Sequence, residues 1–148
     1  MNKITTFLVT ASLLLASCSL IPETTPDTVT VEEVKVGTIE WSLSFPSEWI
    51  PPEIEICAKN TETEKSLCTT KHIKDPKYTY GTGYKIEVPA GKYTVTAQLP
   101  DSTYRGLYSE FVTCGLKADC PSHALITVLV IGGQTVENID PTDWYSQQ

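Results

Sequence analysis

The sequence predicts an all-β fold, an antiparallel sandwich of seven or eight strands. From Gly37 onwards, short runs that alternate apolar and polar residues follow one another, separated by proline, glycine and other turn residues. No run has the spacing of an amphipathic helix. Thr, Tyr, Val, Ile and Pro are plentiful, and the chain has a single Met, which also favours strands. We predict one such domain over residues 37–148.

The first strand is predicted from an alternation of apolar and polar side chains, which gives a strand one buried face. Its apolar face consists of Ile39, Trp41, Leu43 and Phe45, and its polar face of Thr38, Glu40, Ser42 and Ser44. Similar runs cover residues 54–58, 66–70, 84–88, 93–99, 107–113 and 134–139. Residues 124–131 are apolar apart from Thr127, which predicts a central strand covered on both faces.

Pro89-Ala90-Gly91 separates two of these runs and predicts a tight turn in which Gly91 has a positive φ. The stretch YKIEVPAGKYTVTA, residues 84–97, resembles a hairpin of carboxypeptidase regulatory-like domains, which are transthyretin-like sandwiches of seven strands. The stretch GTIEWSL, from Gly37, resembles their first strand, with Trp41 in place of the usual glycine. The resemblance covers residues 37–140. It implies a folding, binding or spacer module that has no catalytic residues of its own.

Residues 1–18, MNKITTFLVTASLLLASC, resemble the signal peptide and lipobox of a bacterial lipoprotein. Lys3 precedes an apolar stretch, Ile4–Leu15, that is too short to span roughly 30 Å of hydrocarbon as a helix. The resemblance implies cleavage before Cys18 and lipid on its thiol, so that the membrane is a partner through this anchor. It places the protein outside the cytoplasm, on the outer membrane of a Gram-negative bacterium or otherwise on the cell surface. An ordinary secretory signal is the alternative.

Residues 18–36 are predicted to form an extended tether, because Pro22, Pro26, threonines and acidic residues dominate the segment. An additional edge strand over 29–36 is the alternative.

Four cysteines remain in the exported domain, which predicts disulfides. A turn centred between Glu62 and Thr63 places Cys57 opposite Cys68 on adjacent strands. Cys114 and Cys120 bracket a short loop. We therefore predict the pairs Cys57–Cys68 and Cys114–Cys120. A zinc site built from the four thiols is the alternative, but the C-x₂-C spacing is absent.

The charge and the motifs exclude several functions. A formal charge of −7 argues against nucleic acid as a partner. The two histidines have no patterned nucleophile, so we predict that the chain is not an enzyme. His72 is expected in solvent, and His123 is expected to bond a loop or strand end, or to ligate a metal with Asp119. Loop carboxylates that might collect Ca²⁺ are Asp101, Asp119, Asp140 and Asp143, but they follow no calcium-loop motif. We expect no metal and no cofactor.

Aromatic residues in loops suit recognition by a rigid scaffold. We predict a binding surface formed by Trp49, Tyr78, Tyr80 and Tyr104. Trp144 and Tyr145 are expected to pack back on the sandwich, with an exposed aromatic contact as the alternative. The predicted function is that of a non-catalytic module that binds an envelope or extracellular protein or glycan, or that has a structural role. A lipoprotein that binds a metal or small ligand is the alternative.

Overall fold

The structure, a computed structural model, describes residues 34–146. The predicted signal peptide (1–17), Cys18 and almost all of the predicted tether lie outside the described residues. Residues 34–146 form nine strands and one short helix. In chain order these are β1 (Val36–Ser42), β2 (Glu55–Asn60), β3 (Ser66–Thr69), β4 (His72–Lys74), β5 (Thr82–Pro89), β6 (Gly91–Gln98), β7 (Arg105–Leu107), α1 (Glu110–Thr113), β8 (Val128–Val130) and β9 (Thr135–Val136).

The strands form two sheets that pack face to face, so the predicted all-β sandwich is confirmed. One sheet has the order β4-β5-β1-β9 and the other has the order β3-β2-β6-β7, with β8 also paired to β6. All pairs are antiparallel except β1 and β9. The buried side chains between the sheets include Ile39, Tyr84, Ile86, Val88, Ile56, Ala58, Tyr93, Val95, Ala97, Val128 and Val130.

The predicted tight turn at Pro89-Ala90-Gly91 joins β5 to β6, but the two strands do not pair as a hairpin, because they belong to different sheets. Alternate residues of both strands point into the shared core, so the turn carries the chain across the sandwich. The Tyr93 hydroxyl donates a hydrogen bond to the Pro89 carbonyl over 2.9 Å and holds this corner. Gly91 is not among the glycines with positive φ. It is instead crowded, since a Cβ there would lie 3.0 Å from Asn60 Nδ2.

The polar face predicted for the first strand is not exposed. Glu40 and Ser42 are only 3% and 2% exposed. The loop of residues 75–81 covers them, because the Thr79 amide donates to Ser42 Oγ and Lys77 pairs with Glu40. A single strand's alternation does not reveal such a cover.

Three predicted strands are shorter than expected, and the run 134–139 is a strand only at Thr135–Val136. In the run 107–113, β7 ends at Leu107 and α1 begins at Glu110. Asp143 pairs with Leu107 in an isolated β-bridge, and the Glu110 amide donates a hydrogen bond to the Ala124 carbonyl. In the run 124–131, only Val128–Val130 is a strand, and it is not central. It pairs with β6 alone, which leaves Leu129 60% and Ile131 49% exposed.

Candidate ligand-binding cleft

A cleft of about 670 Å³ opens where β1 and β4 end and β5 begins. Four segments line it: the β1–β2 connection, the β4–β5 connection, α1 with the loop after it, and the C-terminal segment. Small-molecule sites in proteins have volumes of about 300–1,000 Å³. The cleft is therefore large enough for a small ligand or for the end of a larger one.

The exposed aromatic side chains of the described region converge on this cleft. Within residues 34–146, three aromatic residues are more than half exposed: Trp49 (63%), Tyr80 (68%) and Tyr145 (51%). All three line the cleft. Exposed aromatic rings are apolar surface that a folded chain ordinarily buries, and a cluster of them marks a binding site.

Trp49 is held by its own loop. The Ser47 hydroxyl donates to the Trp49 carbonyl over 2.6 Å, and the Trp49 amide approaches the same hydroxyl at 3.4 Å. The Ser47 amide also donates to the Phe45 carbonyl over 2.8 Å. These bonds form a compact turn in the proline-rich connection, which presents the indole ring to solvent beside the cleft.

Tyr80 is held by the tight loop of residues 75–81. Asp75 Oδ1 accepts a hydrogen bond from the Lys77 amide, and the Gly81 amide donates to the Tyr78 carbonyl. Gly81 has a φ of 62°, a left-handed conformation that glycine adopts without steric cost. Together these features fix the backbone on both sides of Tyr80.

The same loop is fastened to β1 by a buried carboxylate. Glu40 Oε1 lies 2.6 Å from Lys77 Nζ, and Glu40 Oε2 lies 3.0 Å from Lys85 Nζ. Burial acts to raise the pKa of Glu40, but the hydrogen bonds from Lys77 and Lys85 outweigh it, so this pKa lies below its ordinary value. Glu40 is therefore an ionised anchor for the loop that carries Tyr80.

The Cys114–Cys120 disulfide closes the loop that forms another wall. The Gly115 amide donates to the Val112 carbonyl and the Leu116 amide to the Phe111 carbonyl. This pair of bonds is the Schellman motif that ends many helices. Gly115 and Leu116, with φ values of 80° and 58°, then line the cleft together with Val112.

The C-terminal segment supplies the fourth wall, and its two aromatic residues behave differently. Trp144 is 3% exposed and packs against Phe45 and Tyr104, with ring centroids 5.1 and 5.2 Å away. Its Nε1 donates to the Ser44 carbonyl over 3.2 Å. The expected packing is therefore confirmed for Trp144, whereas the ring of Tyr145 is half exposed in the cleft.

Gly106 explains why Trp144 can reach this place. A Cβ at Gly106 would lie 2.4 Å from the Pro141 carbonyl and 2.6 Å from the Trp144 ring. The glycine thus leaves the space that the C-terminal segment occupies.

Asp140 is a carboxylate of the cleft wall with an unsatisfied oxygen. Among the described residues, its shielded Oδ1 has no hydrogen-bond partner. Burial raises the pKa of Asp140 from 3.8 to about 6. A buried acceptor without a donor is unfavourable. The side chain as a whole is half-buried in the cleft wall, where the carboxylate can accept a hydrogen bond from a ligand hydroxyl.

Ser109, Asp143 and His123 meet near α1, but in an order unlike that of a catalytic triad. Ser109 Oγ donates to Asp143 Oδ2 over 2.6 Å, and His123 Nδ1 lies 2.8 Å from the same oxygen. In a serine hydrolase the imidazole lies between the serine and the carboxylate and removes the serine proton. Here the carboxylate lies between them, and Ser109 is 0% exposed, so this cluster fastens the C-terminal segment.

The other titratable residues from the sequence analysis are dispersed. His72 is half-buried, and its Nε2 lies 2.9 Å from the Ile54 carbonyl, so its expected exposure to solvent is wrong. His123 bonds Asp143 rather than pairing with Asp119. Among the described residues, the group that could hold a metal is Glu55 with Cys57 and Cys68, but both of its sulfurs are bonded to each other.

The two predicted disulfides are both present. Cys57 and Cys68 face each other across β2 and β3, with Cα atoms 4.1 Å apart. The Cα atoms of Cys114 and Cys120 are 6.2 Å apart.

The predicted binding surface needs correction. Trp49 and Tyr80 are exposed and line the cleft, but Tyr78 is 3% exposed and belongs to the covering loop. Gly83 makes room for its ring, since a Cβ there would lie 2.6 Å from it. Tyr104 is half-buried against Phe45 and Trp144. Sequence reasoning missed Leu116 and the role of Asp140, which depend on contacts distant in the chain.

No protein-family model and no curated protein matches this chain. A leucine-rich repeat protein from Bacteroides thetaiotaomicron is a solved structure with some similarity, at 14% identity and a TM-score of 0.36. The match covers 74% of this chain but only 14% of that protein. A similarity this low carries no argument about fold or function. Within residues 34–146, no helix is long and apolar enough to cross a membrane.

Proposed function

We propose that this chain is a bacterial lipoprotein, held outside the cytoplasm by lipid on Cys18, whose sandwich is a non-catalytic binding module. The proposal includes that this sandwich is a carboxypeptidase regulatory-like domain. The observation that carries the binding role is the convergence of Trp49, Tyr80 and Tyr145 on one cleft. The two disulfides agree with a location outside the cytoplasm.

Binding rather than catalysis is supported by the chemistry of the two histidine environments. His123 bonds a carboxylate that already accepts the Ser109 proton, and His72 bonds a backbone carbonyl. Neither imidazole contacts a hydroxyl or thiol that it can activate, which nucleophilic catalysis requires.

The anchor is tested by the intact mass of the full-length gene product purified from its own bacterium, with and without reduction and alkylation. The proposal predicts a mature chain that begins at an acylated Cys18 and carries four further thiols that label only after reduction. An unacylated chain would overturn the lipid anchor.

The binding role is tested with the detergent-solubilised protein on immobilised envelope material from which lipids have been extracted. Extraction removes binding through the anchor. We expect wild-type protein to be retained and the double variant Trp49→Ala/Tyr80→Ala to lose at least tenfold in affinity. The matched control is Leu129→Ala, which shortens a 60% exposed side chain on β8, outside the cleft lining. Equal retention of all three proteins would refute the cleft as the binding site.

The cleft volume also favours a second candidate, the small-ligand form of this lipoprotein. A cleft of about 670 Å³ lies within the range of about 300–1,000 Å³ that small-molecule sites have. This candidate predicts that a dissociable small molecule remains bound when the protein is purified from its own bacterium. Native mass spectrometry of the purified protein detects such a molecule.

A further inference from the structure

The polar groups of the cleft indicate what kind of ligand it accepts. Several of its hydroxyl groups already bond within the protein: Ser42 Oγ lies 3.1 Å from Thr79 Oγ1, and Thr82 Oγ1 accepts from Lys74 Nζ over 2.6 Å. By contrast, among the described residues, the exposed carboxylate of Glu48 forms no hydrogen bond or ion pair, and the carboxylate of Asp140 is half-buried in the cleft wall. These carboxylates accept, whereas the indole N–H of Trp49 and the hydroxyls of Tyr80 and Tyr145 can donate, so the cleft matches a ligand that both donates and accepts hydrogen bonds.

The charge of the cleft disfavours an anionic ligand. Its lining contains the carboxylates of Glu48 and Asp140 and one ammonium group, that of Lys74. That ammonium group already donates to Thr82, and the whole chain carries a formal charge of −7. A phosphate or carboxylate entering the cleft would meet two carboxylates against one ammonium group, so the cleft favours an uncharged ligand.

The aromatic rings add a flat apolar surface to these acceptors. Trp49 and Tyr80 are exposed on separate loops that line the same cleft. A sugar ring has an apolar face of C–H groups and an edge of hydroxyl donors. It therefore matches both an aromatic face and a carboxylate acceptor, and hydrogen bonds to carboxylates are the stronger kind.

We propose that the cleft binds an uncharged saccharide of the bacterial envelope, which packs against the rings of Trp49 and Tyr80 and donates hydroxyl hydrogen bonds to Glu48 and Asp140. This inference rests on the proposed function, because it names the occupant of the same cleft. It goes further by naming a saccharide rather than a protein as that occupant, and an uncharged rather than an acidic one.

The test uses the same immobilised, lipid-extracted envelope material, divided into three portions. One portion is untreated, one is oxidised with periodate, which cleaves vicinal diols of sugars, and one is digested with proteinase K. Binding of the detergent-solubilised full-length protein is compared with that of Trp49→Ala/Tyr80→Ala, so that only cleft-dependent binding is counted. We expect periodate to reduce cleft-dependent binding at least tenfold and proteinase K to leave it unchanged.

The reverse pattern, loss after proteinase K and retention after periodate, would overturn the saccharide and leave the binding module in place. Binding that does not depend on the cleft residues would overturn the proposed function itself.

The salt dependence of binding tests the charge of the ligand, because ionic interactions at an exposed site are screened at about 1 M salt. An uncharged saccharide predicts retention within twofold between 0.1 M and 1 M NaCl, about the range over which screening becomes strong. A tenfold loss would show that the occupant is charged.

Discussion

The hydroxyl of Ser109 donates a 2.6 Å hydrogen bond to Asp143, and both side chains are completely buried. The same carboxylate contacts His123 and accepts the Tyr145 amide at 3.2 Å. The Asp143 side chain therefore connects the start of α1, the loop around His123 and the C-terminal segment that lines the cleft.

Asp143→Ala should lower the free energy of unfolding by about 2–4 kcal/mol, because it leaves a buried hydroxyl and an amide without their acceptor. Urea denaturation measures this loss. The control is Asp119→Ala, which removes an exposed carboxylate and should change stability by less than about 0.5 kcal/mol. Similar stability of the two variants would contradict the role given to Asp143.

Asp140→Asn should stabilise the protein at neutral pH. The pKa of Asp140 is raised by burial from 3.8 to about 6, so the folded state holds this proton more tightly than the unfolded state. Ionisation therefore costs stability progressively between pH 3.8 and about 6, and the whole cost is present above that range. The ionisable groups that interact with Asp140 are the phenols of Tyr84 and Tyr108, whose own pKa values are raised, and these stay neutral throughout.

Thermal unfolding from pH 4 to pH 8 measures this difference. The melting temperature of Asp140→Asn should exceed that of the wild type above about pH 6, and the gap should close towards pH 4. A gap that is constant with pH would show that Asp140 is not a strained carboxylate.

Glu40→Gln should have the opposite pH dependence. The pKa of Glu40 is lowered because the bonds to Lys77 and Lys85 outweigh burial. The ion pairs thus contribute stability above the ordinary value of 4.5, and this contribution is lost as the pH falls through the lower folded value. The variant should melt below the wild type at pH 7, with a difference that shrinks below pH 4.5.

Glu87→Gln is the matched control for Glu40→Gln, because Glu87 is an exposed glutamate on β5. A melting temperature of Glu40→Gln equal to that of this control at pH 7 would contradict the anchoring of the 75–81 loop by Glu40.

The two disulfides should contribute similarly to the free energy of unfolding, but their removal should affect envelope binding differently. Cross-links with sequence separations of 11 and 6 residues contribute about 3 and about 2 kcal/mol in the loop-entropy estimate. Only Cys114–Cys120 closes a loop that lines the cleft. We expect Cys114→Ser/Cys120→Ser to weaken envelope binding at least fivefold, and Cys57→Ser/Cys68→Ser to leave the binding of the folded protein unchanged. Equal binding by both variants would contradict a role of the first disulfide in shaping the cleft.

The sequence predicts those features that depend on neighbours within about ten residues. The alternation around Ile56 and Val95 indicates strands, and the spacing of Cys57 and Cys68 about a short turn places them opposite each other. Both follow from local geometry. The exposure of Trp49 agrees with its position in the proline-rich loop.

Features that depend on distant contacts are not predictable in this way. The alternation of the first strand predicts that Glu40 faces solvent. In the structure, Lys77, which lies 37 residues later, covers it. Tyr78 and Tyr80 are equivalent in sequence, yet one is buried and the other exposed, because Gly83 accommodates only the ring of Tyr78. One wall of the cleft contains Trp144, and Gly106 leaves the space that its ring occupies.

The most direct test of the binding cleft is hydroxyl-radical footprinting of the full-length protein in intact cells, compared with the same protein purified in detergent. We expect Trp49, Tyr80 and Tyr145 to be oxidised several-fold more slowly in the cell, while Leu129 and Ile131 react equally in both states. Unchanged oxidation of the three aromatic residues, with protection at Leu129 and Ile131 instead, would place the binding surface on β8 and show that the cleft is not the binding site.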